Sequence, residues 1–201
     1  MTRLIALLLC LVLAAGTARS EILALIDVET TGLDPDAHEM IDIGAIYIER
    51  DGRELGRFFV RIHPQYPERV DPGAQAVNGF SVDRWHTLNA VHARQAIEEF
   101  EIFHRKIAQD RPVIFTAFNV WFDQSFVARW FAREGRRFRD WYHYQVLDLP
   151  SMAFAQGHHA LTGAEIAAAL GIPAETRDPL LHTGATGAEF NLAVYRSLMQ
   201  R

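Results

Sequence analysis

Asp27 and Glu29 stand two residues apart in ILALIDVETTGL, at the end of an apolar run, and the turn residues Thr30, Thr31 and Gly32 follow at once. If that run is a strand, its period of two sends both carboxylates to one face, with Cα atoms roughly 6.5 to 7 Å apart. Two acids leaving a buried strand together repel each other and lose hydration unless a cation lies between them, so the pair suits a divalent metal; two surface acids at a strand end are the other reading of the same spacing. Asp123 in FNVWFDQSF follows Asn119 by four residues at a helix start, a position that the helix dipole alone also favours for an acid. His182 in LLHTGATGAEF precedes another helix start. An imidazole with its ordinary pKa of ~6.5 accepts a proton near neutrality and suits a general base, although taken alone His182 reads as a loop residue.

These residues need a scaffold, and the apolar periodicity supplies one. Residues 22–29 form a nearly continuous apolar strand, as expected at the centre of a sheet. Residues 40–50 and 54–64 flank Asp51-Gly52, a hairpin signal. Ala93, Ile97, Phe100, Phe103 and Ile107 recur at helical spacing and predict a helix over 89–109. Residues 113–119 read as a second central strand with a helix over 122–133 behind it, and 144–149 as a strand before a short helix opened by Pro150. Thr162 and Glu165 form a capping box for a helix that Gly171 and Pro173 end, and a last helix covers 185–200. Three leading strands followed by alternating helices and strands predict an α/β fold with a mixed sheet, helices on its faces. If the strands of 22–29 and 113–119 are parallel neighbours, Asp123 reaches the carboxyl edge that also carries Asp27 and Glu29.

The chain has 201 residues, 49% of them apolar, which fits one domain with a full core. A net charge of -5 argues against gripping polyanions by overall charge, so a nucleic-acid partner must be met by local basic patches or bound cations. The single cysteine, Cys10, excludes internal disulfides. Residues 1–20 carry Arg3, an apolar run over 4–15 and small residues at 16–18. They read as a signal peptide, with export and no stable membrane insertion after cleavage, or as a non-domain leader on a cytoplasmic protein. The domain proper is 21–201.

LIDVETTGLDP, IDIGAI, FNVWFDQSF and a histidine before the final helix, in that order, resemble the histidine-bearing DEDD (DnaQ-like) branch of 3'-to-5' exonucleases. That family includes polymerase proofreading subunits, oligoribonucleases and RNase T. The resemblance runs from about residue 21 to 198 and implies a ribonuclease H-like fold, with a mixed five-stranded sheet flanked by helices. It also implies hydrolysis of the terminal phosphodiester of DNA or RNA with two divalent cations, Mg²⁺ or Mn²⁺. Carried over, Asp27 bridges both cations, Glu29 and Asp123 each serve one, and His182 is the general base. Thr30, Thr31, Leu33 and Asn119 fall where the substrate is contacted, Leu33 against the terminal base. The partner implied is a single strand or a nucleic-acid 3' end; a homodimer or a polymerase partner is left open.

The chain departs from the family pattern at three places. Phe118 replaces the histidine usual before the asparagine, and Asn78-Gly79-Phe80 stands where a His-Gly-Ile-like stretch is common. Gly187 occupies the position of the fourth acid, five residues after His182. Glu189 is the nearest acid and the candidate surrogate ligand, but two residues along a helix rotate it by ~200°, toward solvent. Three remaining acids set -3 against two dications, so weaker metal occupancy is expected. The stretch over 127–141, with Arg129, Arg133, Arg136, Arg137 and Arg139 among aromatics, either guides a single strand or is a solvated helix end. The leading expectation is a metal-dependent 3'-to-5' exonuclease, impaired at Gly187; the alternative is an inactive nuclease-like domain that binds nucleic-acid ends.

Overall fold

The protein is described here by a computed structural model covering residues 20–160 and 162–200. The leader expectation therefore falls on residues that lie outside the described ones, apart from Ser20.

Strand β1 (Ile22–Thr30) is central because it is apolar on both faces, which only a strand covered on both sides tolerates. It pairs antiparallel with β2 (Met40–Ile48), which pairs antiparallel with β3 (Glu54–His63). Two short helices follow, α1 (Pro72–Asn78) and α2 (Val82–Thr87), then a two-residue strand β4 (Val91–His92) beside the end of β3. Helix α3 (Ala93–Ala108) leads to β5 (Val113–Ala117), parallel to β1. Helix α4 (Val120–Arg133), β6 (Val146–Asp148), α5 (Leu149–Ala155), α6 (Gly163–Leu170) and α7 (Gly184–Met199) complete the order.

The sheet order is β4-β3-β2-β1-β5-β6, six strands where five are expected from the sequence. The extra strand is β4. It takes the first residues of the helix predicted over 89–109, where Asn89 adopts φ 55° and ends the preceding helical segment.

Alternation along the strands builds two cores. Ala24, Ile26 and Val28 pack with Ile97, Phe100, Val127 and Phe131 of α3 and α4. Leu23, Leu25, Ile46 and Ile48 pack on the other face with Ile166 of α6 and Leu192, Tyr195 and Leu198 of α7. The second core faces the same side as Asp27 and Glu29, so α7 brings its first turn to the acidic edge. The contact there is backbone on backbone: a Cβ on Gly44 of β2 would overlap the Gly184 carbonyl. No helix of the described residues is long and apolar enough to cross a membrane.

Candidate active site

The parallel register of Leu23 on Ile114 and Leu25 on Thr116 carries β1 and β5 to one carboxyl edge. Asp27 and Glu29 leave β1 there, and Asp123 joins them from the first turn of α4. Asp123 is buried, and its Oδ1 accepts from the Val28 N–H at 3.0 Å. Burial holds the Asp123 carboxyl well above the usual range despite that bond, and the charges of Glu29 and Glu175 push it further. Asp27 is raised in the same way, first by burial and then by Asp123, Glu175 and Glu29.

His182 lies just before Thr183, which caps α7 in a reciprocal box with Thr186: the Thr183 N–H donates to Thr186 Oγ1 at 3.0 Å. Its Nε2 sits 3.0 Å from Glu29 Oε1, and its Nδ1 donates to the Thr176 carbonyl at 2.8 Å. Both ring nitrogens thus face acceptors, and the carboxylate at Nε2 pushes the imidazole up to about 9. Four of the residues singled out in the sequence, Asp27, Glu29, Asp123 and His182, converge on one edge.

Two acids that the sequence does not single out join them. Asp42 of β2 is fully buried opposite Glu29; its Oδ1 accepts from Gly184 N–H at 2.8 Å, while Oδ2 has no partner. Burial, and then Glu29, pushes its carboxyl up to about 8. Glu175 lies in the segment between α6 and α7, with Oε1 3.6 Å from His182 Nδ1. A cleft of about 310 Å³ beside the acids is lined by Asp27, Glu175, His182, Gly163, Phe118 and Phe190. Phe118 therefore gives the cleft an apolar wall, its ring 5.6 Å from that of Phe190.

The residues expected to contact substrate lie at the turn after β1 and at the start of α4. Thr31 is fully buried with Oγ1 accepting from Glu39 N–H at 2.9 Å, and buried Thr30 donates to the Gly32 carbonyl at 2.7 Å. Their hydroxyls are engaged in holding the turn. Leu33 is 79% exposed at that turn, and Asn119 is exposed at the start of α4 in a left-handed conformation, φ 64°. Asn78 also serves the turn: its Nδ2 donates to the Thr30 carbonyl at 2.9 Å.

Glu189 is not brought to the site. It points outward and pairs with Arg57 of β3, because the helix rotation separates it from position 187. Gly187 faces the site, and a Cβ built there would overlap the Asp27 carboxylate. The basic stretch is largely neutralised: Arg129 pairs with Asp36, Arg136 with Glu101 at 3.1 Å and Arg137 with Asp140 at 2.9 Å, while Trp130 and Phe131 are core.

Among the described residues no three His, Cys, Asp or Glu side chains converge in metal-ligand geometry. Glu29 is engaged with His182, and the Asp27 carboxylate lies in the space left by Gly187. The donor chemistry still fits a hard divalent cation. Asp27, Glu29, Asp123 and Glu175 offer carboxylate oxygens, and among the described residues no lysine or arginine pairs with them.

The chain matches the exonuclease family over residues 24–133, more than half its length. It is 30% identical over 113 residues to the 3'-5' DNA exonuclease Cap18 of Escherichia coli, covering 55% of this chain and 57% of that protein. E. coli exonuclease I in complex with a dA16 oligonucleotide superposes with a TM-score of 0.73, at 16% identity, over 90% of this chain and 41% of that one. The zinc-ion-bound form of its single-stranded DNA complex gives 0.72 at 15% identity, over 90% and 41%. This chain spans little more than half of the curated relative and less than half of exonuclease I, whose likeness is one of fold. With Asp27, Glu29, Asp123 and His182 gathered at the sheet edge, this chain belongs to the exonuclease family, in its histidine-bearing DEDD branch, on a ribonuclease H-like fold.

Proposed function

We propose that the protein is a metal-dependent 3'-to-5' exonuclease acting on single-stranded nucleic acid, DNA in the first place. One observation carries the reading: His182 Nε2 sits 3.0 Å from Glu29 at the edge that also holds Asp27 and Asp123. A binding module has no use for an imidazole held by Nδ1 with Nε2 directed at the acids. The DNA preference rests on the names of the relatives, a DNA exonuclease and a DNA-bound exonuclease I.

Divalent cations held by Asp27, Glu29 and Asp123, Mg²⁺ or Mn²⁺, would offset the phosphate charge and align the attacking and leaving oxygens. Nδ1, fixed on the Thr176 carbonyl, keeps Nε2 toward the cleft. When Glu29 lets go of Nε2, the imidazole loses the interaction that holds its proton, gives that proton up to solvent, and Nε2 can then accept one from the attacking water. The water oxygen then bonds to the terminal phosphorus as the P–O3' bond breaks, and the departing oxygen is protonated by solvent. Phe118 and Phe190 shield one side of the cleft from water. The three family acids alone leave the site one negative charge short, which lowers cation occupancy and rate.

Incubation with 5'-labelled single-stranded DNA and RNA under Mg²⁺ or Mn²⁺, beside His182→Ala, tests this. The expected result is stepwise shortening from the 3' end that needs the cation and falls at least ~100-fold in His182→Ala. Tight strand binding without shortening under either cation would establish the alternative, a domain that holds nucleic-acid ends, which Gly187 favours.

A further inference from the structure

We propose that Glu175 supplies the fourth carboxylate of the cation site, taking over from the loop side the charge that Gly187 no longer provides. This rests on the reading of Asp27, Glu29 and Asp123 as cation ligands.

Sequence distance hides Glu175, which stands twelve positions before Gly187, but the fold brings it back. His182 Nδ1 binds the carbonyl of the next residue, Thr176, at 2.8 Å, and His182 N–H binds the Asp178 carbonyl at 2.8 Å. Arg84 of α2 holds the same segment from outside, donating to the Leu180 carbonyl at 2.9 Å. So fixed, Glu175 shares the cleft wall with Asp27 and His182.

The balance of donors and acceptors points to a cation. Glu175 Oε1 is buried without a hydrogen-bond partner. The same holds for Asp42 Oδ2, opposite Glu29, and for Oδ1 of Asn191, a fully buried residue one turn beyond Gly187 whose Nδ2 donates to the Ile26 carbonyl at 2.9 Å. Three buried acceptors around β1 thus lack a hydrogen-bond donor; of the basic side chains, His182 faces Glu29 and Glu175, and the Arg61 guanidinium acts on Asp42. Buried acceptors without donors are costly, and a divalent cation among oxygen ligands removes that cost. With Glu175 as a ligand, the carboxylates assigned to the cations again number four, Asp27, Glu29, Asp123 and Glu175, with Asp42 held on the Gly184 amide.

Mn²⁺ titration of the full chain by calorimetry, without nucleic acid, separates the possibilities. The variants are Glu175→Gln, Asp27→Asn and Glu99→Gln, the last removing the same charge on α3 at the opposite face of the sheet. Glu175→Gln is expected to weaken Mn²⁺ binding by at least ~10-fold, Asp27→Asn to abolish it, and Glu99→Gln to leave it unchanged. If Asp27→Asn loses Mn²⁺ while Glu175→Gln binds like wild type, Glu175 is not a ligand and the cation site itself stands. Lower nuclease activity of Glu175→Gln with unchanged Mn²⁺ affinity would likewise overturn the proposal, leaving Glu175 to position His182. Wild-type protein that takes up no Mn²⁺ would sink both readings. Should Glu175→Gln not fold, Glu175→Asp keeps the charge on a shorter arm and is expected to show a smaller loss in the same titration.

Discussion

The Asp27 carboxylate occupies the space that a side chain on Gly187 would fill. Elsewhere in a helix, glycine to alanine stabilises by up to ~1 kcal/mol. Here Gly187→Ala is expected to destabilise the cation-free protein by about 1 to 3 kcal/mol, because a packed carboxylate must move. In an Asp27→Ala background the same change becomes neutral or stabilising. Urea denaturation of the four proteins in a double-mutant cycle measures this coupling; additive effects would show that the two positions do not compete for one space.

The pairing of His182 with Glu29 predicts a pH dependence in chelator. The imidazole is raised from its ordinary ~6.5 to about 9, so its contribution is fully present below pH ~6.5 and is lost as pH rises through about 9. The effect is at most roughly 3 kcal/mol. Glu29→Gln should bring the His182 ring titration, followed by NMR, back toward the ordinary value and flatten this alkaline loss.

A second histidine gives the opposite sign. His104 is buried with Nδ1 2.9 Å from the Tyr47 hydroxyl, and burial pushes it down to about 4. Stability is therefore present above pH ~6.5 and is lost as pH falls toward about 4, by up to roughly 3 kcal/mol. The raised carboxyls of Asp27, Asp42 and Asp123 act the other way. The informative quantity is thus the difference between wild type and His104→Gln in denaturation midpoints at pH 7 and pH 4.5, which should shrink at the lower pH.

Leu33, 79% exposed beside the acidic edge, makes no core contact to lose. Leu33→Ala is expected to leave the melting temperature within about 1 °C and to raise KM for single-stranded DNA roughly three- to tenfold, with kcat little changed. A fall in kcat with unaltered KM would remove Leu33 from the ground-state contacts.

Much of the scaffold was legible because periodicity is local. β1 is apolar throughout, α3 repeats apolar residues every three or four positions, and Thr162 with Glu165 marks the start of α6. Strand β4 has no such signal; its two residues are strand only because Ile62 and His63 lie beside them. The helices α1 and α2 are too short for a period, and caps at Asp71 and Ser81 define them. In the site, Asp27 and Glu29 were readable from spacing, and helix rotation already turned Glu189 away. Glu175 and Asp42 were not readable: Asp42 meets Gly184 across 142 positions of chain, and Glu175 arrives by a loop path without a repeat. The inward hydroxyl of Thr31 depends on the Glu39 backbone, a contact beyond the motif, whereas that of Thr30 stays within it on the Gly32 carbonyl.

The meeting of Gly44 with Gly184 sets how the site can breathe. No flexible side chain lies between α7 and the sheet there, and the Gly184 amide is held by a carboxylate with no solvent exposure. The amide cannot reach water by a rotamer change; the first turn of α7 has to lift as a unit, carrying His182 with it. Slow hydrogen exchange at Gly184 would thus record how rarely His182 leaves its station, with undocking of the helix and loss of the His182–Glu29 contact as one event.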